Sequence, residues 1–195
     1  MIDGVCCILY KFEKNQILKE YFILYRPFLV FLTRFFLTYL VLSLIYQGFL
    51  SRFDDNSVDS ITEFVAQNTE QLFGLFNIDF FVKEVSGVPY MMLFYKSRYI
   101  ARMIEGCNAI SVIILFASFV VSFSGKLKPT LFFIFWGSFI VYVLNVIRIG
   151  LLCMALYWFP EQKSLFHDVL FPLFIYGVVF ILWVVWVNKY SLYAK

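Results

Sequence analysis

The stretch that decides the fold is PTLFFIFWGSFIVYVLNVIRIGLLCMALYWF, from Pro129 to Phe159, in which Arg148 is the only ion. It is far longer than the apolar run of a soluble core helix. A hydrocarbon core of about 30 Å takes roughly 20 helical residues, so this segment is expected to span a membrane. Three further runs have the same character: Phe28 to Leu50, broken only by Arg34; Cys107 to Phe123, without charge; and Val169 to Val187. The expected spans are therefore about 28–50, 107–123, 130–157 and 169–187.

The composition agrees. Hydrophobic residues make up 62% of the 195, aromatics 22% and charged residues only 15%, with a mean hydropathy of +0.82. A soluble domain keeps charge near a quarter of its residues. One membrane domain is expected, an all-α polytopic bundle of four transmembrane helices whose surroundings are membrane lipids. The N-terminus does not read as a cleaved signal, because Lys11, Glu13, Lys14, Lys19 and Glu20 interrupt it.

Lys and Arg set the expected orientation. Lys11, Lys14, Lys19 and Arg26 precede the first run, Lys126 and Lys128 lie between the second and third, and Lys189 and Lys195 end the chain. These alternating segments read as cytoplasmic, which places both termini inside. Arg34 lies in the inner part of its helix and can snorkel to that interface. Residues 51–106, with five basic and eight acidic side chains, read as a small α/β extracytoplasmic insertion. In it, Val58, Ile61, Val65 and Leu72 keep a helical period, with Asn56 or Ser57 as cap and Gly74 as stop. This helix is expected to lie on the membrane surface or on the other helices. From Phe80 to Ile104, aromatic and β-branched segments are divided by Ser86-Gly87-Val88-Pro89 and by Lys96-Ser97, the pattern of one or two hairpins. Arg98 and Arg102 read as solvated loop charges.

The bilayer also serves as a ruler. Cys107 lies 19 residues before Lys126, and Arg148 lies 19 after Pro129, each a helical rise of about 29 Å. His167, the single histidine, is 22 residues before Lys189, or about 33 Å. Three reactive side chains on three helices are thus expected at one depth near the outer face. Cys107 would open its helix, where amide donors and the dipole favour a thiolate. Cys6 and Cys7 read as cytoplasmic. Cys153, five residues past Arg148, is roughly 140° round the helix and expected to point away. Asn145, one turn before Arg148, could orient the guanidinium, and Glu105 could position His167 or Arg148.

Each residue also has an ordinary structural account. A lone cysteine in an apolar run packs as a small hydrophobe. An intramembrane arginine can pair with Asp168, Glu105 or backbone carbonyls. A histidine beside a helix start can satisfy a cap. A non-enzymatic assembly protein with a structural polar cluster is therefore the competing expectation. No metal and no cofactor is expected, since one histidine and no cysteine pair at ligand spacing argue against zinc. No phosphate loop or basic aromatic surface points to nucleotides or nucleic acid.

At these residues the sequence resembles the exosortase/archaeosortase family of membrane cysteine transpeptidases, in its short bacterial form. The resemblance lies in Glu105-Gly106-Cys107-Asn108-Ala109-Ile110, in Asn145-Val146-Ile147-Arg148-Ile149 and in His167, in that order, within Met103 to Val187. It implies an enzyme of the bacterial inner membrane acting on exported proteins that end in a short motif, a transmembrane helix and a basic tail. It implies Cys107 as nucleophile, Arg148 as stabiliser of the thiolate or oxyanion, and His167 as proton donor, with Asn145, Glu105 and Asn108 in support. Many family members have Ser-Gly where this chain has Asn108-Ala109, which bears on the recognised signal and the acceptor.

Overall fold

The structure, a computed structural model, describes residues 2–54, 56–123 and 125–190, with side chains from residue 23 onward. The expectations for Lys11, Lys14, Lys19, Cys6, Cys7 and Lys195 concern side chains outside the described residues. Helix α1 (Ile2–Leu50) and helix α2 (Ser60–Leu75) precede strands β1 (Phe80–Glu84), β2 (Met91–Tyr95) and β3 (Arg98–Met103). A 3-10 turn (Glu105–Cys107) leads into α3 (Ile110–Ser122), α4 (Leu127–Trp158) and, after a π-helical segment (Leu165–Leu170), α5 (Phe171–Lys189).

Three helices are long and apolar enough to cross a membrane: Ile23–Leu50, Leu127–Trp158 and Leu165–Lys189. The segment expected as the second span forms a helix only over the 13 residues Ile110–Ser122. At 1.5 Å per residue that is about 20 Å, short of a hydrocarbon core. The reason is local. Ala109 holds a left-handed backbone, φ 67° and ψ 0°, so the helix cannot extend back through it to Cys107.

The centre of the molecule is α4, which packs against α2, α3, α5 and the sheet. Its buried face, Gly137, Val141, Asn145, Val146, Ile149, Gly150, Cys153 and Leu156, follows the helical period. Two glycines on it are notches for rings. A methyl group at Gly150 would lie 2.1 Å from the Phe73 ring of α2, and one at Gly137 would lie 2.3 Å from Phe116 of α3. Helix α1 packs chiefly on α3, and among its described side chains, from Ile23 to Leu50, many apolar ones, Phe36, Leu44 and Ile45 among them, are exposed.

The insertion is an α2 helix over a three-stranded antiparallel meander in the order β1-β2-β3, so of the one or two hairpins expected, two form. Lys96 and Ser97 take φ of 50° and 57°, the backbone of a two-residue primed turn that matches strand twist. Lys96 Nζ sits 4.8 Å from the Trp158 ring and 5.4 Å from that of Tyr157, fastening this turn to the end of α4. Val65, Ala66, Phe73, Phe80, Met91, Leu93 and Met103 close one core with Val146, Ile149 and Cys153 of α4. Of the two placements expected for α2, the packing on other helices is the observed one.

Two expected boundaries move. The cap of α2 is Asp59, not Asn56 or Ser57; its Oδ1 accepts from the amides of Ile61 and Thr62 at 3.0 and 2.9 Å. The stop is not Gly74, which stays inside the helix. Asn77 takes the left-handed conformation beyond Leu75, φ 54°, a role asparagine fills next after glycine.

Candidate functional site

Strand β3 delivers the chain directly to Cys107. The Cys107 amide donates to the Ile104 carbonyl at 2.9 Å, and the Asn108 amide to Glu105 at 3.2 Å. Cys107 thus ends a 3-10 turn and does not open α3, and its own amide is already used. The expectation of a thiolate resting on free helix N-terminal amides is corrected accordingly.

Side chains around this turn form a closed polar network. Asn108 is 2% exposed. Its Oδ1 accepts from the Ile110 amide at 3.0 Å, and its Nδ2 donates to Tyr46 Oη at 2.8 Å and Thr62 Oγ1 at 3.2 Å. The Tyr46 hydroxyl donates to Glu105 Oε1 at 2.7 Å. One asparagine thereby caps α3 and ties it to α1 and α2, and every polar atom of its amide is matched. Glu105 pairs with Tyr46, where His167 or Arg148 had been expected.

Asn145 supplies the link to α4. It is 2% exposed, and its Nδ2 donates to the backbone carbonyl of Cys107 at 2.9 Å. Its partner is therefore the main chain of Cys107 and not the Arg148 guanidinium. Arg148, one turn further on, is half-buried. Its Nε is shielded from solvent and has no hydrogen-bond partner among the described residues. A buried donor left open in this way is uncommon and concentrates at functional sites.

His167 lies on the π-helical segment Leu165–Leu170 that opens α5, a geometry frequent at functional sites. Its Nδ1 is 2.7 Å from Asp168 Oδ1, and Ser164 Oγ donates to Asp168 Oδ2 at 3.0 Å. Asp168, one of three partners considered for Arg148, instead pairs with His167. A carboxylate on Nδ1 fixes the tautomer and leaves Nε2 to exchange a proton.

The three residues expected at one depth line one cavity of about 500 Å³, which Arg102, Lys163 and the main body of β3 also border. Cys153 lines it too, contrary to its expected outward direction. The wall runs along Ile149, Leu152, Cys153 and Leu156, an arc of α4 wide enough to include a residue 140° from Arg148. Arg102 lies on strand β3 and not on a loop; it is exposed, in keeping with the solvated charge expected, and it also borders the cavity, with its guanidinium 5.6 Å from the Tyr90 ring. Among the described residues, no three His, Cys, Asp or Glu side chains gather where they could hold a metal ion.

Sequence reasoning missed Tyr46, Thr62 and Lys163, and did not pair Asp168 with His167. The signal for Asp168 was adjacency to the only histidine. Tyr46 and Thr62 lie 62 and 46 positions from Asn108 and carried none. No protein-family model, curated protein or solved structure matches this chain.

Proposed function

We propose that this chain is a membrane cysteine peptidase or transpeptidase of the exosortase/archaeosortase kind. The observation that carries the reading is the convergence of Cys107, Arg148 and His167, from three separate elements, on one cavity. In this proposal the enzyme resides in the bacterial inner membrane with four spans, α3 being the short one, and both termini are cytoplasmic. The cavity faces outward. The substrates are exported proteins ending in a short motif, a transmembrane helix and a basic tail.

The Cys107 thiolate attacks the scissile carbonyl carbon, and the oxyanion that develops is stabilised by Arg148 in a low-dielectric setting. The C–N bond then breaks, and His167 gives a proton to the departing amine. Asp168 holds the imidazole in the tautomer that does this. The resulting thioester is attacked by an acceptor nucleophile, either an amine or water, and the Cys107 thiol is regenerated. An amine gives transfer and water gives hydrolysis.

The test is to express Cys107→Ala and Arg148→Ala in the native host and read the C-termini of exported proteins by mass spectrometry. Uncleaved tails in both variants, with normal levels of the membrane protein, are the expected result. Wild-type processing in both would end the enzymatic reading and leave the assembly-protein alternative. Labelling of Cys107 by an impermeant maleimide in intact cells tests the orientation separately. Labelling confined to opened cells would reverse it.

A further inference from the structure

The sheet has two edges, and they differ in what they face. β2 is the central strand, so β1 and β3 each keep one side without a neighbouring strand among the described residues. β1 contributes no residue to the cavity that Cys107, Arg148 and His167 line, whereas β3 borders it with the consecutive residues 99–103, followed by Ile104. Successive side chains of a strand point to opposite faces. A strand that meets a cavity through every residue in a row meets it edge-on, with its main chain. Tyr99, Arg102 and Ile104 are exposed, and the pairing of β3 with β2 occupies the other side of the strand. Such an edge offers N–H and C=O groups to an incoming strand.

The usable part of this edge is short and leads to the thiol. Leu93 pairs with Ala101 and Phe94 with Tyr99, which leaves Ile100 as an extra residue. A bulge of this kind bends its strand and is common beside active sites. Residues 101–103 keep regular pairing and continue through Ile104 into the turn Glu105–Cys107. In the same cavity the shielded Nε of Arg148 has no hydrogen-bond partner among the described residues. A row of main-chain groups, an open guanidinium donor and a thiol together suit an extended peptide, bound by strand addition.

Resting on the peptidase reading above, we propose that the exported protein binds as a fourth strand on β3. The segment before its membrane helix pairs with residues 101–104, and its scissile carbonyl is carried to Cys107. A strand added there lies about 4.8 Å outside β3, within the cavity. Its direction follows from two contacts on α4. Lys96, just before β3, sits on Trp158, and Asn145 bonds the main chain of Cys107, just after β3. Trp158 lies 13 residues past Asn145, a rise of about 20 Å. β3 thus runs down α4 from its C-terminal end, the outer end in the proposed orientation. An exported protein whose next segment is a transmembrane helix enters in the same sense, so its strand is parallel to β3. Main-chain pairing supplies affinity without regard to side chains, so one site can take several exported proteins.

The probe is a synthetic peptide spanning the cleavage junction of an exported protein whose tail stays uncleaved in Cys107→Ala cells. Its binding to the full-length Cys107→Ala protein in detergent is read by fluorescence anisotropy, with each peptide amide N-methylated in turn. Strand addition predicts a period of two. Methylation is expected to weaken binding at least about tenfold at alternate residues, whose N–H groups donate to β3, and much less at those between. A benzophenone at the N-terminal end of the peptide is expected to cross-link Tyr99 or Ile100; cross-linking at Ile104 would overturn the parallel direction. Losses without alternation, no loss at any position, or an unmodified peptide that does not bind would overturn strand addition and leave the peptidase reading standing. If no exported protein kept its tail in Cys107→Ala cells, the peptidase reading itself would fall, and strand addition with it.

Discussion

Asn145 Nδ2 donates a hydrogen bond to the main-chain carbonyl of Cys107 at 2.9 Å, so the α4 helix that carries Arg148 also holds the backbone of the cysteine. Arg148 is one turn from Asn145, and the distance between thiol and guanidinium is set through this bond. Asn145→Ala leaves a shielded carbonyl unpaired, at a cost of about 1–3 kcal/mol. Thermal unfolding of the detergent-solubilised protein should show that loss. The rate of Cys107 alkylation should change with it, while Asn68→Ala, which removes the bond to Tyr142, should alter stability alone.

Tyr46 is the tie between α1 and the Cys107 turn. Tyr46→Phe keeps the ring but leaves Glu105 Oε1 without its donor and Asn108 Nδ2 without one acceptor. The expected loss is about 1–3 kcal/mol, because the partners stay shielded. Comparing Tyr46→Phe with Asn108→Ala and the double variant should show strong non-additivity, as groups in one network are coupled.

Gly150 is the socket for Phe73. Gly150→Ala places a methyl 2.1 Å from that ring, so α2 must shift, at a cost of about 1–3 kcal/mol. Adding Phe73→Leu should recover part of the loss. If Gly150→Ala alone unfolded at the wild-type temperature, the close approach of α2 to α4 would be wrong.

Ala109 occupies a conformation that costs a side chain about 1–2 kcal/mol. Ala109→Gly removes that strain but gains freedom in the unfolded chain, so a net change within about 1 kcal/mol is expected. Ala109→Val should cost at least about 2 kcal/mol, since a β-branched residue fits this backbone poorly.

His167 and Asp168 should be separable. His167→Ala removes the proposed proton donor and is expected to slow processing by about 100-fold or more. Asp168→Asn keeps the imidazole while weakening its hold on one tautomer, so a smaller loss is expected. Neither change should alter the number of thiols labelled. Equal processing by wild type and His167→Ala would remove histidine from the mechanism.

Much of this architecture is legible in the chain. The run from Pro129 to Phe159 is a single helix, Leu127–Trp158, because nothing within it competes with the helical period. Lys96-Ser97 marks a turn between strands because the segments beside it favour pleated backbone. The start of α3 was misread because hydropathy sees Cys107 to Phe123 as continuous, whereas the left-handed Ala109 interrupts it. The partners of Asn145 and Glu105 were misread for another reason. Periodicity gives the face of a helix, but a side chain finds its partner among elements far away in sequence. Asp59, two or three residues past the expected caps Ser57 and Asn56, prevailed because its carboxylate reaches two amides at once.

The central claim is that Cys107 forms a thioester with an exported protein beside Arg148 and His167. It is tested most directly by acid-quenching host membranes during secretion and reading the Cys107 peptide by mass spectrometry, with and without neutral hydroxylamine. The account predicts a hydroxylamine-labile acyl group on Cys107 in the wild type and none in Arg148→Ala. An unmodified Cys107 in the wild type, together with wild-type processing in Cys107→Ala, would contradict it.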